Sequence, residues 1–180
     1  MKKLIKQFFN KTNAIHLVVL TGFILFSVSF FYPVLSGKKL IQSDIQQYSG
    51  MSRQIQEHRE DGEEIYWIDN AFGGMPTYQL GARYPYDFLT PIHKIFQLIP
   101  QPSEILFLYL LTAYIFLLII KMPIPIAILG AFAYGLSTYL LIIIQVGHNT
   151  KSQALAYMPL VIGGMYLLPV SYTHLTLPTT

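Results

Sequence analysis

The chain has 180 residues and a formal net charge of +3; 53% of its residues are hydrophobic and 12% charged, about half the charged share usual in a soluble domain. No Lys/Arg block is dense enough for a nucleic-acid footprint, so nucleic acid is excluded as a partner. Cysteine is absent, which excludes disulfides, thiolate metal sites, a cysteine nucleophile and a lipoprotein anchor.

All nine acidic residues fall between Asp44 and Glu104, with apolar runs and a few lysines on either side. This partition predicts an all-α polytopic membrane protein whose chemistry sits in one large hydrophilic loop. Residues 1–14 carry Lys2, Lys3, Lys6 and Lys11 and no acid. Residues 15–35 are nearly all apolar, interrupted only by His16, Thr21, Gly22, Ser27, Ser29 and Pro33. A bilayer core takes about 20 such residues in a helix, so this run is expected to be the first span. Its basic flank places residues 1–14 in the cytoplasm and the chain after Leu35 outside. The rival is a cleaved signal peptide, whose apolar core is about 7–15 residues ahead of a small-residue cleavage site. This run is longer and lacks such a site, which favours an uncleaved span.

Residues 36–103 form the expected extracytoplasmic loop. Ile41, Ile45, Tyr48, Met51 and Ile55 recur at helical spacing, predicting an amphipathic helix over 41–60. Ser43 and Gln46 have the spacing of a capping box, and Gly62 is a plausible stop. Residues 67–85, rich in Gly, Pro and aromatics, read as structured loop. Residues 88–99 are amphipathic again, with Phe88, Leu89, Ile92, Ile95, Phe96 and Ile99 opposite His93, Lys94 and Gln97. The stretch is too short to span and fits a helix lying on the membrane surface.

Ser103 is the expected cap of a second span, 104–121, with Lys121 at its cytoplasmic end. Pro123 and Pro125 break the helix at a tight hairpin. A third span is predicted at 125–146, an outer loop at 147–153, and a fourth span at 154–168, interrupted by Pro159 and Gly163-Gly164. Residues 169–180, PVSYTHLTLPTT, resemble a translation of the transposase-adapter DNA used in sequencing libraries. They are expected to be a non-native tail on a piece of a longer protein.

Asp44 is the sharpest chemical candidate. A carboxylate near the outer membrane surface can take a proton from a hydroxyl or help hold a divalent cation. Gln47 and Tyr48, one turn on, are positioned to orient a ligand by hydrogen bonds. The plainer alternative is an acid near a helix start, stabilised by the dipole. Tyr66, Trp67, Phe72 and Tyr78 surround Gly73-Gly74-Met75-Pro76. Aromatic faces stack on sugar rings, but Trp and Tyr also gather at the bilayer interface; the turn reads as structural, with Trp67 the candidate for substrate contact. Arg53 and Arg59 read as solvated helix charge. Glu63-Glu64 reads as solvated surface. No zinc-type His pairing, phosphate-cradling loop or nucleophile elbow is present.

The segments SDIQQYSGM, YWIDNAFGGMPTYQ and GHNTKSQALAYMP, in this order and flanked by spans, resemble the YfhO-like family of bacterial membrane proteins, over roughly Phe31 to Leu168. That family is similar to the GT-C class of polytopic glycosyltransferases. The resemblance implies a multi-pass protein of the bacterial cytoplasmic (inner) membrane, with about four transmembrane helices here. It implies interaction with the bilayer and transfer of a sugar from a polyprenyl-phosphate donor to a cell-envelope acceptor on the outer face. Asp44 would be the catalytic carboxylate, with a divalent cation as a candidate cofactor there. His148 and Lys151 would bind the lipid phosphate, beside Gln47, Tyr48 and Trp67 as further substrate contacts. Later spans and a C-terminal outer domain are not in this chain, which leaves the acceptor site undefined. The alternatives are a non-catalytic membrane scaffold, or a lipid or solute transporter. A transporter is expected to carry ionisable groups deep in its spans, where this sequence offers only His16, near the cytoplasmic edge.

Overall fold

The computed structural model describes residues 11–81 and 89–172. The chain is mainly helical, as its apolar periodicity predicts. In order it forms α1 (Lys11–Phe30), α2 (Ser43–Met51), α3 (Arg53–Glu60), β1 (Trp67–Ile68), β2 (Met75–Pro76), α4 (Leu89–Phe96), α5 (Ser103–Ile119), α6 (Ile124–Gly135), α7 (Thr138–Val146) and α8 (Asn149–Tyr172). Among the described residues, Asn13–Phe30 in α1 is the one helical stretch long and apolar enough alone to cross a membrane. α6 and α7 pass the same test together, as a pair bent by 47°. α5 is apolar but has 17 residues.

α5 is the centre of the bundle and packs against α1, α6 and α8. It is apolar all round, and a helix of that kind is stable only when surrounded; Ile105, Leu106, Leu108, Tyr109 and Leu110 are accordingly fully buried. α6 approaches through small residues, Ala127, Ala131 and Gly135, one turn apart on one face. A Cβ at Gly135 would lie 2.8 Å from Leu110 Cδ2, so its lack of a side chain sets the α5–α6 separation. From α1, the buried Phe23 meets Tyr114 and Phe132 edge-on, at 5.6 and 5.5 Å between ring centroids.

A smaller lobe precedes α5. Ile55, Ile68, Ala71 and Leu80 form its core, covered by Met51, Ile65 and Met75. The aromatic loop contains a short antiparallel ladder, missed by periodicity because each strand has two residues: Trp67 pairs with Pro76 and Ile68 with Met75. Gly62 ends α3 in the left-handed region (φ +84°), as its type predicts, with Glu63 N–H bonding His58 O at 2.8 Å.

Several local expectations are corrected. The helix over 41–60 is divided at Ser52, although the ladder resumes at once, with Gln56 N–H to Ser52 O at 3.0 Å. The capping box does not form: Gln42 precedes the first turn, without a side-chain cap bond. Ser103 is the buried first residue of α5, with Pro102 in the cap position. The run 125–146 is two helices. Gly135 ends the first, and Ser137, in extended backbone (φ −61°, ψ 138°), precedes the second; continuous hydrophobicity masked this stop and start. Pro123 and Pro125 open α6 as well as separating it from α5, because proline suits a first helical turn. α8 begins at Asn149, so Gly147-His148 alone separates α7 from α8, and Pro159 and Gly163-Gly164 do not interrupt it. α8 also runs into the expected tail, to Tyr172. The lysines at 2, 3 and 6, Phe88 and residues 173–180 lie outside the described residues.

Candidate functional site

The turn between α7 and α8 builds the site. Gly147 is left-handed (φ +96°), closing α7 with its N–H on Ile143 O at 3.2 Å. His148 follows, and its carbonyl accepts the first bond of α8, from Ser152 N–H at 2.8 Å. The start of α2 docks on this turn. A Cβ at Gly147 would lie 2.8 Å from Gln42 Cβ and 3.0 Å from Ile45 Cγ1. Gln42 also donates from Nε2 to Ile144 O at 2.6 Å. Asp44 lies between these two anchors.

Asp44 and His148 therefore meet, with His148 Nδ1 2.9 Å from Asp44 Oδ2. An ionised carboxylate only accepts, so Nδ1 carries the proton and Nε2 is left as the other ring nitrogen. Both side chains are part-exposed, at 43% and 39%, and so remain reachable from solvent.

Beside the pair lies a cavity of about 440 Å³ between the end of α1, the start of α2, and the starts of α5 and α8. Lys38, Lys39, Gln42, Gln101 and Asn149 supply its polar lining, and Val34, Leu40, Ile45 and Ile105 apolar wall. Gln42 and Pro102 precede the first turns of α2 and α5, and Asn149 opens α8. Each helix start carries a partial positive charge of about half an electron unit. Two lysines and three helix starts on the lining give the cavity a positive character beside its apolar wall. Glu104, next to Gln101 in space, is fully buried, and its Oε1 accepts from Gln101 Nε2 at 2.8 Å.

The other expected site residues are elsewhere. Lys151 projects from the first turn of α8 with its ammonium 5.4 Å from the centre of the Tyr139 ring, a cation–π contact. Tyr48 points its hydroxyl towards Gly81, 3.1 Å from where a Cβ would stand there. Gln47 is exposed on α2. Trp67 belongs to the hairpin: its ring leaves no room for a side chain at Gly74, and its Nε1 donates to Asp69 Oδ1 at 3.1 Å. Arg53 pairs with Glu57 at 2.7 Å. Arg59 grips Glu64 through two nitrogens, and this bond raises the guanidinium pKa above its ordinary value. Glu63 and Glu64 are exposed, as expected, and there Glu63 reaches His58 at 3.2 Å while Glu64 meets Arg59.

Among the described residues, no group of three or more His, Asp or Glu side chains is placed to hold a metal ion. A hard cation takes six or more oxygen ligands, so one at Asp44 would draw most of them from water and from the substrate phosphate. The chain matches no family model, curated protein or solved structure. The YfhO-like motifs thus remain a resemblance, and the site rests on its own geometry.

Sequence reasoning missed Lys38 and Lys39. A signal was present: a lysine pair directly outside the first apolar run goes against the usual cytoplasmic bias of basic residues. Gln42, Gln101 and Asn149 carry no such mark, because they matter only where three helix starts converge.

Proposed function

We propose that the protein is a polytopic protein of the bacterial cytoplasmic membrane that transfers a sugar from a polyprenyl-phosphate donor to a cell-envelope acceptor on the outer face. The contact between Asp44 and His148, beside the lysine-lined cavity, carries this reading. The bilayer part is supported by large apolar side chains left exposed on the bundle, among them Leu17, Val18, Leu25, Leu129, Val161 and Met165. In this reading α1, α5, the bent α6–α7 pair and α8 are the spans. The lobe of α2, α3 and the hairpin faces outward, and the turn at Lys121 faces the cytoplasm.

Asp44 accepts the proton of the acceptor hydroxyl as its oxygen bonds to the anomeric carbon. The bond from that carbon to the carrier phosphate breaks, and the phosphate leaves with the electron pair. Lys38 and Lys39 balance its charge, and the apolar wall takes the first part of the lipid. A single displacement inverts the anomeric centre. His148 holds the carboxylate in one orientation. Asp44→Asn keeps the size of the side chain but removes its basicity, and loss of a general base costs about 10²–10⁴ in rate. The test is transfer of labelled sugar from polyprenyl-phosphate donor to envelope material, in membranes carrying the protein from its native reading frame. Wild-type transfer by Asp44→Asn at equal abundance removes Asp44 from this role. No transfer by the wild type with any polyprenyl-linked sugar favours a scaffold.

A further inference from the structure

The outer lobe carries a second concavity, away from Asp44. It is an open groove of about 610 Å³ between α3 and the hairpin, lined by Arg53, Gln54, Glu57, His58, Asp69 and Asn70. We propose that this groove is a carbohydrate subsite that holds the acceptor glycan while its end is presented to Asp44. This rests on the transferase reading for the word acceptor, though not for the binding itself.

Three observations carry the inference. First, every lining side chain ends in a planar polar group, of the kind that bonds two neighbouring hydroxyls at once. Second, the lining carries no surplus of positive charge: Arg53 pairs with Glu57 at 2.7 Å, His58 meets Glu63 at 3.2 Å, and Asp69 adds a further carboxylate. A groove of this kind suits an uncharged polyol better than a phosphate or other anion. Third, an aromatic ring stands at its edge and is held there. Trp67 is 55% exposed, yet its Nε1 is bonded to the groove residue Asp69, and its ring lies against the bare backbone of Gly74. Asp69 N–H is in turn bonded to Gln54 Oε1 at 2.9 Å, which locks the two walls together. An exposed indole fixed in this way loses little conformational freedom when a sugar ring stacks on it. Asp44 is in the first turn of α2 and Arg53 opens α3; nine residues at 1.5 Å each put at most roughly 13 Å of helical rise between them, within the reach of a short oligosaccharide.

Trp67 is the sole tryptophan of the chain, so its emission reports on this groove alone. The protein, in nanodiscs, is titrated with the neutral hexasaccharides chitohexaose, maltohexaose and mannohexaose. At least one is expected to change Trp67 emission saturably and to shield it from iodide. The paired change Arg53→Ala with Glu57→Ala removes two exposed lining groups without altering net charge, and should weaken that binding about tenfold. Equilibrium dialysis with Trp67→Ala reads binding without the reporter, and should show a similar or greater loss. No saturable response to any of the three sugars overturns the proposal, as does unchanged affinity in the paired variant. Quenching of Trp67 by brominated lipid in the nanodisc also overturns it, since the aromatic edge would then be a membrane contact. Saturable sugar binding without any sugar transfer would retain the groove and retire the transferase reading; transfer without sugar binding would do the reverse.

Discussion

Gly147 and Gln42 touch so closely that a methyl group on the glycine would sit 2.8 Å from the Cβ of Gln42. The first turn of α2 rests on the α7–α8 turn at this point, and Asp44 and His148 are on either side of it. Gly147 also has a φ of +96°, which L side chains rarely adopt. Gly147→Ala therefore carries two faults, strain and a clash, and should cost about 1–3 kcal/mol. A lowered thermal midpoint of the purified protein is the check. Gly50→Ala is the comparison: nothing lies within 4 Å of its added Cβ, and its backbone is helical, so it should be neutral or slightly stabilising.

His148 acts through Asp44 in the proposed mechanism, so the two should not contribute independently. His148→Ala should slow transfer by roughly tenfold, less than the loss on removing the base itself. The double variant with Asp44→Asn should be no slower than Asp44→Asn alone, because residues acting as a unit are not additive. A fully additive loss would mean that the imidazole does separate work, such as acting as the base through Nε2. Asp61→Asn, in the exposed turn after α3, is the control and should leave transfer unchanged.

Lys38 and Lys39 line the cavity assigned to the carrier phosphate. Lys38→Ala and Lys39→Ala should each raise KM for the lipid-linked donor roughly fivefold, with kcat little changed, the cost of about one exposed charge contact. The wild-type KM should rise with ionic strength as these contacts are screened, and each variant should show a shallower dependence. An equal loss in kcat would instead place the lysines on the reacting group.

Topology is open to direct labelling because the chain has no cysteine of its own. Single cysteines at Glu60, exposed at the end of α3, and at Met122, 40% exposed in the α5–α6 turn, report on opposite sides of the proposed membrane. An impermeant thiol reagent added to intact cells should label the first and spare the second. The reverse pattern would invert the whole arrangement and carry Asp44 to the cytoplasmic side.

What the sequence determines by itself is local. The helical spacing of Ile45, Met51 and Ile55, the stop at Gly62 and the apolar runs of α1 and α5 are legible because each depends on neighbours within a turn or two. The same logic found Asp44 near a helix start, and the outer end of the expected third span put His148 on the same side. Only tertiary structure decided that these two residues touch. Their meeting requires α2 to dock on a turn a hundred positions away, and that docking depends on the absence of a side chain at Gly147 and on a bond from Gln42 to the backbone at Ile144. Tertiary structure also set Lys151 over the Tyr139 ring and Lys38 and Lys39 along the cavity. Which lysine faces a cavity is set by where three helix starts converge, and no short stretch of sequence encodes that convergence.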